Sequence, residues 1–138
     1  MRVALSLSLP PDPWTVAVAR EVTTGTLDKL GILDDDIEDI RLALSEACTN
    51  VVRHSGTGNE YQVMVEITQR SCEIRVVDSG RGADFAALGR RTPDPGAPGG
   101  RGLPIIEAVV DRAEFHSDPP LGTAVHLLKT LRKRPGAP

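Results

Sequence analysis

Residues 40–54, Ile40-Arg41-Leu42-Ala43-Leu44-Ser45-Glu46-Ala47-Cys48-Thr49-Asn50-Val51-Val52-Arg53-His54, decide how the chain is read. Ile37, Ile40, Leu44, Cys48 and Val51 recur at steps of three or four, the mark of a helix with one apolar face. Asp34 to Asp36 open it, placing acids at the positive end of the helix dipole. Glu46 and Asn50 are one turn apart and leave the same side, at the margin of the buried stripe. A carboxylate can accept a proton or orient a hydroxyl, and an amide oxygen can ligate a hard cation. Taken alone, the pair reads first as a solvated glutamate and a capping asparagine.

The segments around this helix have their own periods. Val3, Leu5, Leu7 and Leu9 alternate with small residues, as in a half-buried strand that Pro10 and Pro11 end. Asp12 and Pro13 read as the N-cap and first position of another helix. Trp14, Val18, Val22 and Leu30 are its expected apolar face, and Gly31 its stop. Gly56 and Gly58 end the central helix. Tyr61 to Thr68 and Cys72 to Val77 then form a hairpin around a tight link, Gln69-Arg70-Ser71. From Ser79 to Gly102 glycines crowd together with Pro93, Pro95 and Pro98, so this stretch is expected as loop. A loop that long in a compact domain is usually functional or disordered. Leu103 to Val110 reads as a short helix, and Arg112 to Ser117 and Thr123 to Leu131 as two final strands.

Composition excludes several classes. The 138 residues match one domain, and a hydrophobic content of 40% supports a core without staples. A net charge of −3 gives no basic footprint for nucleic acid. No apolar run approaches the ~20 residues of a membrane span, and no signal peptide fits the start. Cys48 and Cys72 have no metal spacing and are expected as buried hydrophobes. A cytoplasmic protein with no direct nucleic-acid or membrane partner follows. Residues 1–131 form the expected domain; the basic, then Pro/Gly-rich residues 132–138 are expected to fray as a flexible tail.

Three further motifs matter. Asp78-Ser79-Gly80-Arg81-Gly82 follows an apolar strand; an aspartate there can accept a hydrogen bond from an exocyclic amine, and glycines admit a ring or phosphate. A plain β-turn would also look like this. Gly99-Gly100-Arg101-Gly102-Leu103 joins the long loop to a helix, where backbone N–H groups can meet phosphate. Gly122-Thr123 precedes the last strand. Neither a Walker lysine pattern nor a GxGxxG after the first strand is present.

In this order and setting the four pieces resemble the N box and three G boxes of the GHKL superfamily. Leu44 to Asn50, with His54 one turn on, is similar to its anti-sigma-factor serine/threonine kinase branch. The resemblance covers most of residues 35–130 and implies the Bergerat fold. That is an α+β two-layer sandwich: a mixed, mostly antiparallel β-sheet covered on one face by about three helices, with a mobile Gly/Pro-rich ATP lid. It also implies roles. Glu46 would be the general base or hydroxyl-orienting carboxylate, and Asn50 the Mg²⁺ ligand. Asp78 would hold the adenine amine, with Gly80 and Gly82 shaping the base pocket and Thr123 supporting the adenine side. Gly100 and Gly102, with Leu103 beside them, would lay backbone against the phosphates; Arg53, His54 and Arg101 are phosphate-side candidates. Pro104 restricts Leu103 toward extended geometry but is tolerated in a first helical turn.

The implied cofactors are ATP and Mg²⁺, and the implied partners a STAS-domain anti-anti-sigma protein, a sigma factor and a second copy in a homodimer. The implied activity is phosphorylation of the STAS protein and sequestration of the sigma factor. The alternative is a non-catalytic, nucleotide-gated binding module.

Overall fold

The computed structural model describes residues 1–55, 60–78, 103–118 and 122–137. Strand β1 (Arg2–Leu9) leads into helices α1 (Pro13–Lys29) and α2 (Asp34–Ser55). The hairpin β2 (Tyr61–Thr68) and β3 (Ser71–Asp78) follows. Helix α3 (Leu103–Val109) and strands β4 (Arg112–Asp118) and β5 (Gly122–Thr130) complete the described chain. The strands form one five-stranded sheet in the order β1-β2-β3-β5-β4, and every described pairing is antiparallel. The helices lie on one face. Val63, Val65 and Ile67 of β2, Ile74 and Val76 of β3 and Val125 and Leu127 of β5 are buried beneath them. This is the expected two-layer α+β sandwich.

Helix α2 buries the face its spacing announced: Ile37, Ile40, Leu44, Cys48 and Val51 are all in the core. Helix α1 does not. Its buried residues are Thr15, Val16, Ala19, Thr23, Thr24 and Leu27, whereas Trp14 is 63% exposed, Val18 36% and Val22 38%. At Thr24 the methyl can pack inward because the hydroxyl turns back to the helix backbone. Thr24 Oγ1 donates to Arg20 O at 2.9 Å. The apolar stripe Trp14-Val18-Val22 therefore faces outward, a correction to the expected packing.

Gly31 ends the α1 segment with a φ of +78°, and a Cβ there would come within 2.7 Å of Ala137 Cβ. That approach reflects a second difference from expectation. Residues 132–134 are tied down along the α1–α2 turn. Leu33 N donates to Arg132 O at 2.8 Å and Arg134 N to Gly31 O at 2.7 Å, and Ile32 and Lys133 form an antiparallel bridge. Their basic side chains meet Asp28, Asp34 and Asp36, which supplies the reason the segment is held.

Candidate functional site

Helix α2 carries the first half of the site. Ala43, Leu44, Ala47, Cys48 and Val51 face the core, so Glu46 and Asn50 emerge together on one flank, both half-buried. Among the described residues neither side chain takes part in a hydrogen bond or ion pair. Arg53 is exposed beyond them, and His54 lies in the last turn of the helix. On the other flank Ser45, Thr49, Val52 and Arg53 line a groove of about 500 Å³ with Pro13, Val16, Ala17 and Arg20 of α1. Cys48, between Glu46 and Asn50 in sequence, is buried, and desolvation pushes its thiol up to about 12. Cys72 is likewise buried, its thiol also pushed up to about 12, first by burial and then by Glu73. Both stay protonated and inert.

The sheet carries the second half. Tyr61 faces Asp78 directly across β2 and β3, and the β3–β5 register, pairing Val77 with Ala124, sets Thr123 next to Asp78 on the other side. Side chains opposite each other across antiparallel strands point to the same face. Tyr61, Asp78 and Thr123 thus form one row at the end of the sheet, on the helix side. Asp78 is only 6% exposed and Thr123 7%. A carboxylate buried at a strand end is costly unless it has polar company.

Helix α3 packs against α2, with Ile106 fully buried and Pro104 in its first turn. Its end is anchored to β5: Lys129 Nζ donates to Val109 O at 3.0 Å, Asp111 N to Leu128 O at 2.9 Å, and Thr130 N to the Asp111 carboxylate. The Lys129 ammonium also lies 3.0 Å from Asp39 on α2. Leu103 thus begins an anchored element. Gly80, Gly82, Gly100, Arg101 and Gly102 lie outside the described residues. The structure brings Glu46 and Asn50 onto one helix flank and Asp78 and Thr123 into one row. Tyr61 and Lys129 join that framework, and sequence reading had assigned neither a part.

These residues fit a magnesium nucleotide. Among the described residues no group of three or more His, Cys, Asp or Glu side chains could hold a metal alone. Mg²⁺ does not require one, because it usually keeps one or two protein oxygens and fills its shell with phosphates and water. The Asn50 amide oxygen could supply one such ligand, and the Asp78 carboxylate could accept from an amine-bearing base.

The family profile of the histidine kinase-like ATPase domain matches residues 9–129. This chain belongs to the histidine kinase-like ATPase family. The match spans every described element of the site, so ATP use comes with the family. Relatives within it are protein kinases. The chain is 32% identical to the serine-protein kinase RsbW of Bacillus velezensis, covering 92% of this chain and 85% of that protein. It is 31% identical to RsbW of Bacillus subtilis, again covering 92% and 85%. This ATPase domain therefore stands among the serine/threonine-protein kinases. Its fold is also that of a crystal structure of the RsbU and RsbW domains of a Mycobacterium tuberculosis protein. The TM-score is 0.69 at 22% identity, with 96% of this chain matched to 34% of that longer one. Among the described residues no helix is long and apolar enough to cross a membrane.

Proposed function

We propose that this domain is an ATP-dependent protein serine/threonine kinase and anti-sigma factor. It phosphorylates a serine or threonine of a STAS-domain anti-anti-sigma protein and, in the alternative complex, sequesters a sigma factor in the cytoplasm. The observation that carries the reading is the shared flank of Glu46 and Asn50 on α2, a helix packed against β3 and β5, the strands that carry the buried Asp78–Thr123 row. Phosphoryl transfer needs positioning and charge neutralisation more than covalent help. The Asp78 carboxylate accepts from the base amine and Thr123 closes that side. The Asn50 oxygen would hold Mg²⁺, which when bound would supply neutralisation of charge on the transferring phosphate. Glu46 orients the acceptor hydroxyl and takes its proton, acting from a flank where no structural bond competes for it among the described residues.

The outward stripe Trp14-Val18-Val22 supports partner capture. Exposed apolar residues arranged along one helix mark interaction surfaces more often than isolated ones do. A homodimer would use further surface. The direct test combines the protein with radiolabelled ATP, Mg²⁺ and a cognate STAS-domain protein. Label on the STAS serine or threonine supports the kinase, and its loss in Glu46→Ala assigns the base. ATP left intact during partner capture by the wild type would replace this reading with a nucleotide-gated binding module.

A further inference from the structure

Tyr61 is a large polar residue held wholly inside the protein. Its hydroxyl lies 2.7 Å from Thr15 Oγ1. Thr15 is also fully buried, and its Oγ1 lies 2.8 Å from Asp12 O and 2.9 Å from Pro10 O. Both carbonyls can only accept, so the Thr15 hydrogen points to them and the Tyr61 O–H donates to Thr15 Oγ1. Burial pushes the Tyr61 hydroxyl up to about 12, against the pull of the Thr15 bond, so this donor keeps its proton. The resulting chain runs from β2 through two hydroxyls to the first turn of α1. At its other end the Tyr61 ring stands directly across from Asp78, with side chains of such a pair about 5 Å apart at Cβ. Tyr61 therefore sits where the start of α1 meets the end of the β2–β3 pair.

We propose that Tyr61 is a positioning residue for base recognition. Pinned by Thr15, its ring fixes the lateral place of the Asp78 carboxylate, and so sets how strongly the pocket prefers a purine with an exocyclic amine over one with a carbonyl there. The inference rests on the reading that Asp78 receives the base amine. A hydrogen-bonding site discriminates sharply only when its partner is held in register, because a displaced acceptor loses the bond it is built for.

The experiment compares ATP with ITP, which carries a carbonyl in place of the adenine amine, by calorimetry on the full chain with Mg²⁺. The wild type should bind ATP at least about tenfold more tightly than ITP. Tyr61→Phe keeps the ring volume and should cut that ratio at least about threefold, mainly by weakening ATP. Thr15→Val should do the same, the double variant should lose little more than either alone, and Thr15→Ser should restore the wild-type ratio. A ratio unchanged in Tyr61→Phe and Thr15→Val, with circular dichroism showing both folded, overturns the inference even where their Tm values fall. A wild type that binds ATP and ITP equally overturns the Asp78 reading and the inference with it.

Discussion

The two ends of α2 use their carboxylates in opposite ways. Near the start, Asp36 is buried and receives three bonds from Arg132: one from its backbone N–H at 2.7 Å and two from the guanidinium at 3.2 and 2.8 Å. Lys129 stands 3.9 Å away. Ten residues on, Glu46 is half-buried and engages no described residue through a hydrogen bond or ion pair. Both sit on the same helix against the same core. A carboxylate whose acceptors are filled by the protein locks an element in place, whereas one left open can serve a substrate hydroxyl. The charged network lies where chain segments must be joined, and the open groups lie at the site proposed for ATP and the acceptor.

The largest expected effect breaks the comparison at its functional end. Glu46→Gln should lower phosphotransfer to the STAS partner by about 10²–10³-fold, the scale of a lost general base. Its Tm should stay within about 2 °C of wild type, since no described contact is removed. A large drop in Tm with activity retained would mean that Glu46 is structural. At the other end Asp36→Asn should do the reverse. It removes the charge that organises Arg132 and should cost about 2 kcal/mol of stability, read from urea unfolding, while activity per folded molecule is kept.

The pH dependence of that second variant sharpens the contrast. Burial alone would raise the Asp36 pKa, but the bonds and charge of Arg132, helped by Lys129, outweigh it and hold the carboxyl below its usual range. A folded-state pKa below the unfolded one contributes stability that is fully present above the unfolded value, near ~3.9, and is lost as pH falls through the folded value. The gap between wild type and Asp36→Asn should therefore be full between about pH 5 and 7 and narrow below about pH 4. A gap constant across that range would remove Asp36 ionisation from the account.

How far the sequence revealed this arrangement depended on the kind of signal. Ile37, Ile40, Leu44, Cys48 and Val51 are all aliphatic or small, so period and burial agree, and the flank of Glu46 and Asn50 followed from them. Alternation announced the strand faces equally well, but the expected link Gln69-Arg70-Ser71 was one residue too long: the second strand begins at Ser71, and that register is what sets Tyr61 across from Asp78. In α1 the apolar pattern misled. Trp14, Val18 and Val22 outweigh threonines in hydropathy, yet Thr15, Thr23 and Thr24 face inward. The C-terminal segment misled for another reason. Its glycine, prolines and charges resemble a free tail, and the partners of Arg132 and Arg134 stand about a hundred residues earlier. Long-range ion pairs leave no local period. Lys129 was hidden likewise, as one more residue of a strand.

Gly31 offers a smaller test of the same junction. Its φ of +78° lies where side chains are strained, and a new Cβ would press on Ala137. Gly31→Ala should cost about 1–2 kcal/mol. If removing the last two residues recovered all of that loss, the clash with Ala137 would be the whole effect. A loss that persists would assign the remainder to the left-handed backbone.

The smallest expected effect concerns Arg134, and it separates a buried junction from a surface one. Arg134 contacts Asp28 at 2.8 Å and Asp34 at 3.4 Å, but both acids are largely exposed, at 61% and 82%. Exposed pairs are screened by water and salt and contribute little. Arg134→Ala should therefore shift the Tm far less than Asp36→Asn does, and the shift should shrink further in molar salt. Arg134 also donates to Asp28 O at 2.6 Å, a bond that does not depend on the acid side chains. Any loss that survives molar salt belongs to this backbone contact, and Asp28→Asn should then leave it intact. If Arg134→Ala proved as costly as Asp36→Asn, the junction would act as one network, and burial of Asp36 would not be what distinguishes the two ends of α2.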